Sequence, residues 1–270
     1  MACDESVETI LSSTESFAAA FEHAISNSGF PVRALVLTNP HNPFGRCYTK
    51  EMVASCAQLC QRHNIHFISD EVYALSVFGE HEDKFSSALQ LDLESLKVDP
   101  SRVHVIWSIS KDFGSSGVRM GAIVSQGNER LRASLALASN IQVSSLAAIA
   151  TTGLLNCSEL DQLILLNRQR LQKAHDKITG FLRANGMHYI PATAGPFIFA
   201  RLPGNISSLV EEQRVVNEIS AAGVAISPGS NYSWSNREFG WVRITFAVEE
   251  SELDEGLKRL SHGLKTISYS

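Results

Sequence analysis

The stretch Ser108-Ile-Ser-Lys111-Asp-Phe-Gly-Ser-Ser-Gly-Val-Arg119-Met-Gly121 decides the fold of this chain. It follows the apolar run Val103–Trp107, which is rich in β-branched residues and predicts a buried strand. A second apolar run, Ala122–Ser125, comes directly after it. Hydroxyls, a lysine and an arginine after a buried strand indicate a ligand site, because ligands bind at strand ends in α/β folds. The alternative is a surface lysine and a surface arginine in a polar loop.

Composition indicates an ordinary globular chain with room for two modest domains, since 270 residues include 44% hydrophobic and 19% charged side chains. A net charge of −5 argues against nucleic acid or an anionic membrane surface as a partner. The first basic residue is Arg33, which is not the pattern of a signal peptide. The five cysteines include Cys56 and Cys60, which we expect to be buried thiols of a cytoplasmic protein rather than metal ligands.

Strands and helices alternate along the first half of the chain. The strands predicted before Val103 are Arg33–Thr38 and His66–Ser69, and the predicted helices are Ser12–Asn27, Thr49–Asn64 and a helix-like stretch at Phe85–Leu96. This alternation predicts an α/β fold with a mostly parallel sheet and flanking helices. Three polar motifs, around Asn42, Asp70 and Lys111, then fall at the carboxyl ends of consecutive strands. Ligands bind at that edge of an open α/β sheet.

The second half of the chain changes pattern. The uncharged stretch Ala133–Ser158 predicts a packed helix pair rather than a membrane span, because polar side chains interrupt it. A long helix at Glu159–Asn185 has the length of a link between domains. After it come short strands at Met187–Pro191, Phe197–Leu202, Val224–Ser227 and Trp241–Ala247, with helices at Ser207–Ala222 and Glu250–Ser268. We therefore predict a large cofactor-binding domain at 1–158 and an interdomain helix with a smaller α+β domain at 159–270.

Two charged residues are candidates on their own chemistry. Asp70 follows a strand, where the common alternative is a carboxylate that caps a helix. Arg243 stands inside the apolar strand Trp241–Phe246, where burial is costly without a partner. It either forms an internal ion pair or offers a planar fork to a substrate carboxylate.

Taken together, the motifs resemble those of the pyridoxal-phosphate-dependent aminotransferase class I/II family, which has the aspartate aminotransferase fold. The resemblance is carried by Asn39-Pro-His-Asn-Pro-Phe-Gly45, Ser69-Asp-Glu-Val-Tyr73, Ser108-Ile-Ser-Lys-Asp-Phe-Gly114 and Arg243, in that order. Within the family, Ser69–Phe78 and Ile106–Gly114 look most similar to 1-aminocyclopropane-1-carboxylate synthase-like proteins.

The resemblance implies a catalytic group of Lys111, Asp70 and Tyr73. Lys111 would form the Schiff base with pyridoxal 5′-phosphate and later act as the base for the substrate's α-proton. Asp70 would hold the pyridine nitrogen protonated. Tyr73 and Asn42 would hydrogen-bond the cofactor's phenolic oxygen.

The phosphate and the substrate have their own implied residues. The hydroxyls of Ser108 and Ser110 and the guanidinium of Arg119 would hold the cofactor phosphate. Arg243 would bind the substrate α-carboxylate bidentately. No metal is implied.

The implied function is Schiff-base chemistry on an α-amino acid, as a lyase of the aminocyclopropane-carboxylate synthase type or as an aminotransferase. The family has well over a hundred residues before the strand that matches Leu35–Leu37, so the resemblance also implies an N-terminally truncated chain. The implied partners are an amino-acid substrate and a second copy in a homodimer, or association through exposed sheet edges. The alternative is a weak or inactive homologue that acts as the partner of a full-length enzyme.

Overall fold

The computed structural model describes residues 13–79, 85–139, 142–232 and 238–267. They form two compact units. The N-terminal unit comprises residues 13–41 and 47–166, and the C-terminal unit comprises residues 42–46 and 167–267. The division 1–158 and 159–270 stays a prediction.

The N-terminal unit is built on a four-stranded sheet with the order β1-β2-β3-β4. Its strands are β1 (Ala34–Thr38), β2 (His66–Asp70), β3 (Val103–Ser108) and β4 (Gly121–Val124). β1, β2 and β3 are parallel, and β4 runs antiparallel to β3, which confirms the predicted mostly parallel sheet. The register pairs Thr38 with Asp70 and Asp70 with Ile106, so the strands end together at one edge.

Two helices of the N-terminal unit lie where the sequence predicted them, and a side-chain hydroxyl caps the first turn of each. In α1 (Thr14–Ser26) the Ser13 hydroxyl accepts a hydrogen bond from Ser16 N, and in α2 (Lys50–Arg62) the Thr49 hydroxyl accepts one from Met52 N. Both are N-caps that satisfy helix amides. The buried face of α2 and the apolar residues of β1 and β2 form the core, whose fully buried members include Val53 and Phe67. Cys56 and Cys60 lie in this core, as predicted.

The predicted helix at Phe85–Leu96 is wrong. This part of the chain contains only a 3₁₀ turn at Ala88–Gln90, which the Ser87 hydroxyl caps, and irregular turns. Asp92 accepts hydrogen bonds from the backbone and the hydroxyl of Ser95. These side-chain bonds close local turns in place of helical backbone bonds, which is the usual behaviour of Ser and Asp.

The expectation of a packed helix pair at Ala133–Ser158 is also wrong. Two helices do form in this region, α4 (Glu129–Ser139) and α5 (Ser145–Leu155), but they leave large apolar side chains exposed. They follow α3 (Ile109–Asp112), a single helical turn directly after β3. Leu137 is 79% exposed and Leu146 is 80% exposed. The uncharged pattern of this stretch correctly predicted helices, but it did not show that their apolar faces would stay exposed. No helix within residues 13–267, apart from the undescribed gaps, has the length and apolar character to cross a bilayer.

The C-terminal unit contains a second four-stranded sheet, with the order β5-β6-β8-β7 and antiparallel pairing throughout. Its strands are β5 (Tyr189–Ile190), β6 (Phe197–Arg201), β7 (Ser227–Pro228) and β8 (Trp241–Thr245). The helices are α6 (Leu160–Ala184), which begins in the N-terminal unit, α7 (Leu209–Ala221) and α8 (Glu250–Ile267). This is the α+β pattern that the sequence predicted.

The apolar face of α6 is covered only in its later turns: Leu171, Ile178 and Leu182 are buried, but Leu163 and Leu166 at its start are each 42% exposed. The strand expected at Val224–Ser227 begins only at Ser227. Val224 N instead donates a hydrogen bond to Ile219 O. Val224, which the apolar pattern placed in the strand, therefore belongs to the turn that ends α7.

The turn at Gly45 fixes residues 42–46 within the C-terminal unit. Gly45 O accepts hydrogen bonds from Thr193 N at 2.7 Å and from Ala194 N at 2.9 Å. Gly45 has a φ of +62°, and a Cβ atom built there would lie 2.7 Å from Ala194 O. Only glycine meets both conditions without strain.

We predict that Gly45→Ala lowers the free energy of unfolding by about 2–3 kcal/mol, because it combines a left-handed backbone with a steric overlap. Gly29→Ala is the matched control, since a Cβ there meets nothing within 4 Å. The control should change stability by less than about 0.5 kcal/mol. Urea denaturation of both variants measures the difference, and an unaltered midpoint for Gly45→Ala would contradict the prediction.

Candidate functional site

Asp70 ends β2 with one carboxylate oxygen unused. Its backbone carbonyl accepts a hydrogen bond from Asn39 N at 2.9 Å. Its Oδ1 atom is buried and has no hydrogen-bond partner among the residues that the structure describes. Burial raises the pKa of this carboxyl, and a hydrogen bond with the Val72 backbone opposes that shift. A buried carboxylate oxygen without a donor is costly, so it indicates a ligand with an N–H or O–H group.

The neighbouring carboxylate of Glu71 is held by hydrogen bonds within the protein and has a structural role. Glu71 is 4% exposed, and its Oε1 atom accepts hydrogen bonds from the Ser69 hydroxyl at 2.9 Å and from Ala88 N at 2.8 Å. Burial raises its pKa as well. Glu71 therefore anchors the loop after β2, whereas Asp70 Oδ1 binds none of the residues that the structure describes.

Tyr73 lies in a tight turn directly after these acids. Ala74 N donates to Glu71 O and Ser76 N donates to Tyr73 O, both at 3.0 Å. Tyr73 is 6% exposed. The turn thus holds a buried tyrosine three residues beyond Asp70.

Lys111 sits on the short helix α3, directly after β3. The Ser108 hydroxyl accepts a hydrogen bond from Ser110 N at 3.3 Å and caps this helix. The Lys111 side chain is exposed. Because β2 and β3 are adjacent and parallel, the loops that carry Asp70 and Lys111 leave the sheet at the same edge.

Asp112 is a buried carboxylate that sequence reasoning did not single out. It is 5% exposed, and its Oδ1 atom accepts a hydrogen bond from the Ser76 hydroxyl at 2.6 Å. Its Oδ2 atom accepts from Leu75 N at 3.1 Å and from Trp107 Nε1 at 3.0 Å. Asp112 therefore connects the lysine turn to the Tyr73 turn and to β3.

Arg119 ends the loop between β3 and β4 in an exposed position. It follows a 3₁₀ turn at Ser116–Val118 and has a left-handed backbone, with φ of 59°. Its Nη1 atom donates to Ser116 O at 2.9 Å. An arginine has five N–H donors, so most of them remain for an anion.

Arg243 projects from β8 in the C-terminal unit and lies between two aromatic rings. Its guanidinium carbon is 5.1 Å from the ring centroids of both Phe197 and Tyr232. Its Nη1 atom donates to Asn42 Oδ1 at 3.0 Å, while Nε is buried without a hydrogen-bond partner in the described chain. The expected alternative of an internal ion pair finds no support, because none of the described carboxylates lies within 4.0 Å of this guanidinium.

The structure divides the candidate residues between its two units. The N-terminal unit contains Asp70, Tyr73, Ser108, Ser110, Lys111 and Arg119, and the C-terminal unit contains Asn42 and Arg243. Sequence reasoning missed Asp112 and Tyr232. Asp112 could have been suspected from its place beside the lysine, but no local pattern in the sequence pointed to Tyr232.

Comparison with known proteins shows which family this chain belongs to. The model of the family described as aminotransferase class I and II matches residues 7–260. "Probable aminotransferase aclI" of Aspergillus oryzae is 45% identical over 89% of this chain and 58% of its own length. "Probable aminotransferase gliI" of Aspergillus fumigatus is 39% identical over 89% of this chain and 57% of its own length. "1-aminocyclopropane-1-carboxylate synthase-like protein 1" of Takifugu rubripes is 35% identical, over 88% of this chain and 38% of its own length.

Solved structures share the fold. A mutant aspartate aminotransferase of Thermus thermophilus superposes with a TM-score of 0.71 at 24% identity, over 93% of this chain and 63% of the other. A Pyrococcus protein titled protein-A1 gives a TM-score of 0.74 at 21% identity, over 93% and 62% of the two chains. The chain thus spans a little more than half the length of the two fungal relatives named above. From the match over residues 7–260 and these identities, the chain belongs to the aminotransferase class I and II family, whose members depend on pyridoxal phosphate.

Proposed function

We propose that this protein is a pyridoxal-phosphate-dependent enzyme that removes the α-amino group of an amino acid and transfers it to a keto acid. The observation that carries the proposal is the buried, unpartnered Oδ1 of Asp70 at the sheet edge where β3 delivers Lys111. A carboxylate acceptor and an accessible primary amine at one edge are the two groups that this cofactor requires.

The residues of the N-terminal unit fit the cofactor. Asp70 Oδ1 would accept the pyridine N–H, and the resulting positive charge beside it would offset the burial that raises the Asp70 pKa. The remaining donors of Arg119, with the hydroxyls of Ser108 and Ser110, would bind the phosphate. The Tyr73 hydroxyl would donate to the phenolic oxygen.

The protein's part in the reaction is proton handling. Pyridoxal phosphate, when bound, supplies an aldehyde carbon for covalent attachment and a ring that withdraws electrons from the substrate's α-carbon. Lys111 Nζ would hold the cofactor covalently, and as a free amine it would take the α-proton and return it. Asp70 would keep the ring nitrogen protonated throughout.

In the C-terminal unit, Arg243 is the proposed ligand of the substrate carboxylate. Asn42 occupies Nη1, which leaves the Nε and Nη2 edge of the guanidinium for a planar carboxylate. The amide nitrogen of Asn42 is the atom we propose as donor to the cofactor's phenolic oxygen. The rings of Phe197 and Tyr232 hold the guanidinium through cation–π contacts.

We favour amino transfer over the lyase chemistry expected from sequence. The two relatives with the higher identities above carry the name aminotransferase, at 45% and 39%, against 35% for the 1-aminocyclopropane-1-carboxylate synthase-like protein. Lyase activity, and action as the weak partner of a longer homologue, are the alternatives. We also propose a homodimeric, cytoplasmic protein, by analogy with the family.

The first test concerns Lys111. Adding pyridoxal phosphate to the purified chain should produce an absorption band in the visible or near ultraviolet, because the attached cofactor absorbs there. Borohydride should then fix the label on Lys111, as peptide mass spectrometry would show. Lys111→Ala should remove the band, whereas Lys97→Ala, on a loop away from the sheet edge, should keep it. An unchanged band in Lys111→Ala would refute the proposal, and keto acid formation without elimination products would support amino transfer.

The Asp70→Asn variant should change stability and cofactor affinity in opposite directions. Because burial raises the Asp70 pKa, ionised Asp70 destabilises the fold without cofactor at pH values above that pKa. The variant should therefore be more stable than the unaltered protein near pH 7. This gain should shrink as pH falls towards the ordinary value of 3.8 and vanish below it, where the carboxyl is protonated in both the folded and the unfolded state. Denaturation of the cofactor-free proteins between pH 4 and 8 measures the gain.

The same variant should bind pyridoxal phosphate at least tenfold more weakly, since an amide stabilises the pyridinium less than a carboxylate. Glu71→Gln provides the contrast, because Glu71 already holds two protein donors. It should leave the affinity for pyridoxal phosphate within about threefold of that of the unaltered protein. A loss of stability in Asp70→Asn at neutral pH would show that the carboxylate serves the fold.

Arg243→Lys should raise KM for the amino-acid substrate about tenfold or more, because lysine keeps the charge but loses the planar fork. Arg201→Lys on the adjacent strand β6 is the matched control, since Arg201 is exposed there. Its KM should stay within about twofold of the unaltered protein. Steady-state kinetics across several amino acids measures both, and equal KM values for Arg243→Lys and Arg201→Lys would remove Arg243 from the substrate site.

A further inference from the structure

Asp112 connects three segments through one buried carboxylate. Oδ1 accepts from the Ser76 hydroxyl, and Oδ2 accepts from Leu75 N and Trp107 Nε1, at distances between 2.6 and 3.1 Å. Ser76 and Leu75 belong to the loop after β2, Trp107 belongs to β3, and Asp112 itself ends α3. Three donors on a 5%-exposed carboxylate satisfy most of its lone pairs and make these contacts strong.

The helix that carries Lys111 needs such an anchor. α3 has four residues, and a single helical turn is not stable by its own backbone bonds. Lys111 is exposed, so packing does not fix its direction. Ile109 of this turn is 2% exposed and packs into the unit, and the carboxylate of Asp112, the residue after Lys111, adds the polar contacts that fix the direction of the turn.

The same carboxylate acts on the turn that carries Tyr73. Ser76 N donates to Tyr73 O, and Ser76 and Leu75 in turn donate to Asp112. A shift of Asp112 would therefore move Lys111 and Tyr73 relative to each other. Cofactor attachment depends on such placement, because reacting atoms must meet in a narrow range of geometry.

We propose that Asp112 is a positioning residue, which holds Lys111 in the geometry that attaches the cofactor by fixing α3 to the Tyr73 turn and to Trp107. This inference rests on the function proposed above. Asp112 is not proposed to contact the cofactor or the substrate. Its main effect is on the covalent step, because Asp70 and Arg119, the residues proposed to bind the ring nitrogen and the phosphate, lie outside α3.

The test compares two forms of the cofactor. Pyridoxal phosphate can attach to Lys111, but pyridoxamine phosphate has no aldehyde and binds only through the other contacts. Asp112→Ala should weaken pyridoxal phosphate binding at least tenfold and slow the borohydride-trapped labelling of Lys111 to a similar degree. Its affinity for pyridoxamine phosphate should stay within about threefold of the unaltered protein. A merely structural carboxylate would lower both affinities together, and that result would overturn the inference.

A conservative variant tests whether the contacts or the charge matter. Asp112→Asn keeps an oxygen for Leu75 N and Trp107 Nε1, and the Ser76 hydroxyl can turn to accept from the new amide. It should therefore restore pyridoxal phosphate binding to within about threefold. Failure of Asp112→Asn to restore binding would show that charge, and not position, is what Asp112 supplies.

Two more variants keep the test informative if Asp112→Ala does not fold. Ser76→Ala removes one of the three donors and should reduce the labelling rate of Lys111 severalfold while sparing pyridoxamine phosphate. Asp99→Asn makes the same chemical change as Asp112→Asn in a carboxylate that caps the 3₁₀ turn before β3, and it should alter neither affinity. Equal labelling of Ser76→Ala and the unaltered protein would overturn the inference.

Failure of the inference is distinct from failure of the proposed function. If the unaltered chain labels at Lys111 and Asp112→Ala labels equally well, only the positioning role is wrong. If the unaltered chain does not label at Lys111 at all, the proposed function and this inference both fall.

Discussion

The parallel register of β1, β2 and β3 is the constraint on which the rest of the candidate site depends. Parallel strands in one sheet must end at the same edge, so residues that are far apart in sequence become neighbours there. Thr38, Asp70 and Ile106 stand in line across the three strands. Asp70, whose Oδ1 has no donor among the described residues, ends β2 at this edge, and the Tyr73 turn and the Lys111 turn follow β2 and β3. Any change of register would separate these groups.

Three acids near this edge, each with a buried carboxylate oxygen, show how neighbours decide the role of a carboxylate. Glu71 and Asp112 each accept hydrogen bonds from several protein donors and stabilise loops. Asp70 has the same chemistry but leaves a buried oxygen without a donor. A fold can carry such an acid only at a cost, and a protonated ring nitrogen would remove that cost.

Sequence predicted the sheet well because its signals are local. Short β-branched runs fixed the strands, and Thr49 marked the start of α2. The sequence also predicted which residues stand at the sheet edge, since strand ends carry them. It failed at Phe85–Leu96, where Ser87 and Asp92 formed side-chain turns instead of a helix. It could not show the neighbours of Asp112 or Tyr232, because those contacts join residues that are distant in sequence.

The Gly45 turn has a consequence for how this chain can be divided. Within the described residues the chain enters the C-terminal unit at 42, leaves it after 46, and returns at 167. No single cut releases that unit whole. A fragment that begins at 167 would lose the acceptor of Thr193 and Ala194, and it would lose the Asn42 oxygen that orients Arg243. The smaller unit is a spatial domain without being a contiguous genetic module, so shuffling it between genes requires the Asn42–Arg46 segment to travel with it.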